Sequence, residues 1–224
     1  MAWRLKEPRA PLSKRPYRLY HDIRDLVDRS LARVPLMPVW RTSETHPLQI
    51  ASVVVPGTGG TIGITFCPGK TDAAAASGAW RRSLELDLAA IRDWRAEAVV
   101  TLIEQKEFKL LKVEGLEVAM RAADLRWFHL PIVDVSTPDA RFEHGWAQEG
   151  PVLRRILRRG GKLVVHCRGG LGRAGTVAAR LLLEFGTSPA EAFTQVRTQR
   201  PGAIETMAQE NYVRAVQPLP LGTV

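Results

Sequence analysis

Cysteine is almost missing from this chain. Only two occur in 224 residues, Cys67 and Cys167, which leaves no disulfide framework and favours a reducing, cytoplasmic compartment where a thiolate stays usable. No apolar run approaches the ~20 residues of a membrane-spanning helix. The opening MAWRLKEPRAPLSKRPYRLY lacks the continuous apolar core of a secretory signal. Internal repeats, zinc-finger spacings and RNA-binding signatures are absent, so nothing predicts specific nucleic-acid binding. Acidic residues are the scarcer sign: 23 against 32 basic ones give a net charge of +9, with arginine outnumbering lysine 25 to 7. That excess draws in anionic substrates.

What is present suffices for one sizeable domain, residues 47–217, with an extension before it and a short tail, 218–224. Residues 1–46 hold ten basic and five acidic side chains and five prolines. Within them Tyr17 to Val34 predicts an amphipathic helix, with Leu19, Ile23, Leu26, Val27 and Leu31 on one stripe. Two readings stay open for this segment: packing on the domain with its charges in water, or a docking arm for a partner. Further on, LQIASVVV and GTIGITF flank a glycine-rich turn and predict a hairpin ending at CPGK, residues 67 to 70. A helix is expected over Trp80 to Trp94, and a strand apolar on both faces over Ala98 to Ile103. Short helices near 108–111 and 116–123 precede a strand at Leu125 to Leu130. A helix follows over Gly145 to Arg159, ending in the run RRILRR, whose Arg154, Arg155, Arg158 and Arg159 read as a solvated face. Alternation of strand and helix predicts an α/β domain with a largely parallel sheet.

The chemistry centres on KLVVHCRGGLGRAGT, Lys162 to Thr176. It reads as a buried strand, a glycine-rich loop and the start of a helix that stops at Gly186. Cys167 thereby lies at the mouth of a helix, where the dipole and nearby cations favour a thiolate. Free N–H groups of Arg168, Gly169, Gly170, Leu171, Gly172 and Arg173 can ring a phosphate. The Arg173 guanidinium can grip its oxygens bidentately. This combination predicts phosphoryl transfer to sulfur, with the phosphocysteine then hydrolysed by water. A leaving oxygen needs a proton donor, and the segment PIVDVSTPDARFEH offers Asp134, Asp139 and Glu143. Cys67 reads as a buried residue or as a backup thiol. Ser188, Pro189 and Glu191 mark the start of a helix running to Gln199, and another begins near Glu205.

The string HCRGGLGRAG resembles the H-C-x5-R signature of the cysteine-dependent protein phosphatases. It looks closest to the dual-specificity group that includes the cyclin-dependent-kinase-associated phosphatase. That resemblance implies the α/β cysteine-phosphatase fold in three layers, a mostly parallel sheet of about five strands flanked by helices, no cofactor or metal, and a phosphorylated protein as substrate. HLPIVDVSTPD is similar to the group's general-acid loop, which implies Asp134 as the acid with Asp139 as runner-up. The A-I-x-T-x-x-Q segment implies Gln209 as the residue that positions hydrolytic water. His166 is implied to support the loop and tune the thiolate. One departure stands out. The family has Ser or Thr directly after the arginine to stabilise the departing thiolate, and this chain has Ala174, so either Thr176 or a backbone group substitutes, or the phosphoenzyme breaks down slowly. Arg168 adds a second cation at the rim, which keeps phosphoinositides or inositol phosphates as alternative substrates. Ala174 alone favours a third reading, a phospho-binding module without turnover.

Overall fold

The structure, a computed structural model, describes residues 38–219; the helix expected over 17–34 lies outside them. A hairpin leads, β1 (Ala51–Val54) and β2 (Thr61–Phe66), followed by a two-strand ribbon, β3 (Thr71–Asp72) and β4 (Trp80–Arg81). Helix α1 (Leu84–Asp93), β5 (Ala98–Thr101), α2 (Gln105–Leu110), α3 (Leu116–Ala122) and β6 (Arg126–His129) come next. The second half is α4 (Ala140–Arg158), β7 (Lys162–Cys167), α5 (Gly172–Glu184), α6 (Pro189–Gln199) and α7 (Met207–Ala215).

Five strands form one sheet in the order β1-β2-β7-β5-β6. Only the β1–β2 pair is antiparallel; β2–β7, β7–β5 and β5–β6 run parallel. Alternation along the strands sorts side chains to two faces. Ala98, Val100, Leu163 and Val165 join the core formed with α4, α5, α6 and α7, while Val99 and Val164 join the one formed with α1, α2 and α3. The three layers follow from that alternation, as the sequence led one to expect. Strand β7 is the central one, and its carboxyl end delivers Cys167.

Three expectations need correction. The helix expected from Trp80 begins at Leu84, because Ser83 caps it by accepting from the Leu86 N–H, while Trp80 and Arg81 pair with Asp72 and Thr71. The helix expected from Gly145 begins at Ala140, capped by the Asp139 carboxylate. Arg154 is not on a solvated face. It is buried and pairs at 2.9 Å with Glu184 of α5, whose carboxylate also takes the Trp146 indole N–H at 2.7 Å. Residues ahead of 47 are stitched into the domain as well. Arg41 bridges to Trp80, and the Ser43 hydroxyl donates to Asp87 at 2.8 Å. The compact unit starts at Val39.

Candidate active site

The loop between β7 and α5 is turned inside out by its neighbours. The Arg168 carbonyl accepts from Lys70 Nζ at 3.0 Å and from the Cys67 N–H at 3.4 Å. Arg200 takes the next two, Nη2 to the Gly169 carbonyl at 3.1 Å and Nε to that of Gly170 at 2.9 Å. The Leu171 carbonyl accepts from the Gly175 N–H at 2.8 Å. With these carbonyls engaged outside, the loop amides turn toward its hollow, the arrangement that binds oxyanions. Gly170 is required twice over. Its φ is +68°, and a Cβ there would lie 2.4 Å from the Thr65 carbonyl. Its N–H donates to the Cys167 sulfur at 3.2 Å. Near Ala174, therefore, it is a backbone group that faces the sulfur, whereas the Thr176 hydroxyl is committed to the Gly172 carbonyl at 2.8 Å.

Arg173 is buried and fixed. Its two terminal nitrogens donate to Glu107 at 2.6 and 2.9 Å, and one of them also reaches the Ile132 carbonyl at 3.1 Å. Burial is the largest single influence and works against its charge, but the Glu107 hydrogen bonds and the surrounding negative charges, Glu107 and Asp134 among them, together outweigh it, and the pKa rises above the ordinary arginine value. Behind the sulfur, His166 Nε2 sits 2.8 Å from the Thr101 hydroxyl, which also accepts from the Trp127 indole at 2.8 Å. Burial pushes the His166 imidazole down to about 3, so it stays neutral. Cys67 is fully buried, and burial pushes its thiol up.

The carboxylates separate by role. Asp134 lies on the loop after β6, half-exposed, with Oδ1 at 2.7 Å from Arg173; the same oxygen accepts from the Val135 N–H at 3.1 Å. Asp139 is spent on capping α4 through the Phe142 N–H at 2.9 Å. Glu143 pairs instead with Arg180 at 2.6 Å and Tyr212 at 2.7 Å, away from the loop. Gln209 is buried. Its amide oxygen accepts from Glu205 N–H at 2.9 Å and Thr206 N–H at 3.3 Å, and its amide nitrogen donates to the Ser136 carbonyl at 3.1 Å. It thus ties the Asp134 loop to the start of α7. A cleft of about 580 Å³ opens over the loop, lined among others by Phe66, Lys70, Trp80, Asp134, Arg200 and Glu205.

Residues 86–213 match the family model described as Swiss Army Knife protein, DSP-PTPase phosphatase domain. The chain belongs to this family. The phosphatase domain is 32% identical over 136 residues to cyclin-dependent kinase inhibitor 3 of Rattus norvegicus, across 59% of this chain and 63% of that one. The chain thus spans less than two thirds of that relative's length. It superposes on the crystal structure of kinase associated phosphatase with its catalytic-site cysteine changed to serine, with a TM-score of 0.66 and 26% identity, covering 75% of this chain and 92% of the other. Tk-PTP in the active form gives 0.54 and 27%, over 75% and 96%.

Sequence reasoning missed the braces of this phosphatase domain. Glu107, Lys70, Asp72, Arg200 and Glu205 all act on the loop or on Arg173, from elements remote in the chain. Arg168, expected as a free cation at the rim, is clamped by Asp72 at 2.9 and 3.1 Å, so its charge is largely answered within the protein.

Proposed function

We propose that this chain hydrolyses phosphate monoesters through a phosphocysteine, acting on phosphorylated protein. The Cys167 thiolate attacks phosphorus in line with the leaving oxygen. As that P–O bond breaks, the Asp134 carboxyl gives its proton to the departing oxygen. The equatorial oxygens lie on the loop amides and on Arg173, whose orientation Glu107 holds before substrate arrives. Asp134 exchanges its contact with Arg173 for the substrate, leaving that guanidinium edge to phosphate. Water then attacks the phosphocysteine, Asp134 takes its proton, and the sulfur departs as thiolate toward the Gly170 N–H. Gln209 retains one amide hydrogen that can orient this water.

The observation that carries the reading is the loop itself: a sulfur under a backbone N–H, with the loop carbonyls held outward and an arginine fixed beside it. Phosphoinositides fit less well, because Asp72 answers the Arg168 charge that would have recognised a second phosphate. A binding module without turnover is also less favoured, since the amide facing the sulfur does the work expected of the missing hydroxyl. The basic residues 1–46 complete the proposal as a docking arm for an acidic partner surface, in the reducing cytoplasm. The test is hydrolysis of an aryl phosphate by the full chain with a chelator present. Turnover is expected, falling at least ~10³-fold in Cys167→Ser; a serine variant as fast as the parent would refute the mechanism.

A further inference from the structure

The amide that opens α5 does not face solvent. The Gly172 N–H, one of the six amides expected to hold phosphate, donates to Glu205 Oε2 at 2.8 Å. The contact needs glycine, since a Cβ at 172 would lie 2.4 Å from that carboxylate oxygen. Glu205 also lines the cleft over Cys167. Among the described residues no lysine, arginine or histidine nitrogen lies within 4.0 Å of its carboxylate. A carboxylate with no cation partner is therefore aimed at the one place on this domain built for an anion.

Its position is constructed rather than incidental. Ile204, just before it, has φ +59°, a backbone state that a β-branched residue avoids unless its surroundings impose it. The surroundings here do so. Arg197 donates Nε to the Ala203 carbonyl at 3.1 Å and Nη2 to that of Ile204 at 3.0 Å, and the Ile204 side chain is buried. The Glu205 N–H is held by Gln209 at 2.9 Å. These bonds hold the backbone of the turn from which the Glu205 carboxylate reaches the first turn of α5.

We propose that Glu205 is a built-in competitor for the phosphate cradle. It occupies the Gly172 N–H in the resting domain and must swing into the cleft when a phosphate takes that donor. It then displaces inorganic phosphate after hydrolysis by reclaiming the amide. Only hydrogen bonds are exchanged. The result is weaker binding of phosphate dianions than the bare cradle would give, and faster product release. This rests on the phosphatase reading of the site, and the experiment separates the two.

Binding of tungstate and of inorganic phosphate to the full chain is measured by calorimetry for wild type, Glu205→Gln and Glu205→Ala. Removing the charge is expected to tighten both oxyanions by about tenfold, the order of one charge-assisted hydrogen bond no longer to be displaced. The gain should persist at about 0.5 M salt, where a merely long-range charge effect would be screened away. A purely structural capping role moves affinity the other way, because a loosened α5 start binds anions less well. Unchanged or weaker binding in both variants would overturn the competitor role, as would a gain that salt abolishes. If neither wild type nor variants bind tungstate, the phosphatase reading fails and this inference with it.

Discussion

His166 precedes the reactive sulfur directly, a place that invites an acid–base role, and its surroundings deny it one. It is fully enclosed, its Nε2 meets the Thr101 hydroxyl, and burial holds its pKa at about 3 against an ordinary 6.5. A neutral imidazole shapes the end of β7 and moves no proton at working pH. It does leave a mark on stability. Because the folded-state value is depressed, the unfolded chain binds a proton as pH falls through 6.5, and the folded chain does not until about 3. Stability is therefore lost as pH falls, by up to about 1.4 kcal/mol per unit within that window. Urea titrations between pH 7 and about pH 5, above the range where carboxylates dominate, should show this slope in wild type. His166→Asn should show a flatter one; equal slopes would mean that the histidine is protonated in the fold.

At the scale of elements, the loop is held by groups that belong to other parts of the chain. Arg200, just past α6, clamps two consecutive carbonyls. Lys70, after β2, takes the one before them. Arg200→Ala frees the Gly169 and Gly170 carbonyls, letting the peptide planes rotate and their amides leave the hollow. Misplacement on that scale costs about 10²-fold in rate. The variant should lose 10- to 100-fold in kcat/KM on an aryl phosphate, while its thermal midpoint stays near wild type because Arg200 is partly exposed. A midpoint falling in step with activity would assign Arg200 to folding instead. The same contrast explains what could be read from the chain beforehand. Cys167, the glycines and Arg173 are contiguous, so strand, loop and helix were legible together. Glu107, which fixes Arg173, lies 66 positions away from it, and Asp72, which takes up Arg168, lies 96 away. No periodicity connects such pairs; only the sheet order brings them together. Arg154 was misread for a related reason. A run of arginines looks solvated until α5 supplies Glu184 to one of them.

Over the whole molecule, the net charge is spread unevenly along the chain. Residues 1–38 carry nine basic and four acidic side chains, so they hold five of the nine net positive charges. Among the described residues, every brace of the sheet and the loop lies after them. Arg41 and Ser43 are the earliest residues seen to tie into the domain, through Trp80 and Asp87, and β1 starts only at Ala51. A chain cut before Val39 should therefore keep its thermal midpoint and its kcat/KM on a small aryl phosphate to within about twofold, since none of the braces described for the site is removed. Its attraction to polyanions should drop, because long-range attraction follows net charge and is screened by salt. Elution from an anionic resin at lower salt measures that. If the segment docks an acidic partner, the shortened chain also loses kcat/KM on a phosphoprotein, and loses it chiefly at low ionic strength, while aryl phosphate turnover holds. Loss on both substrates alike would place these residues in support of the cradle, and loss on neither would leave them without a part in recognition.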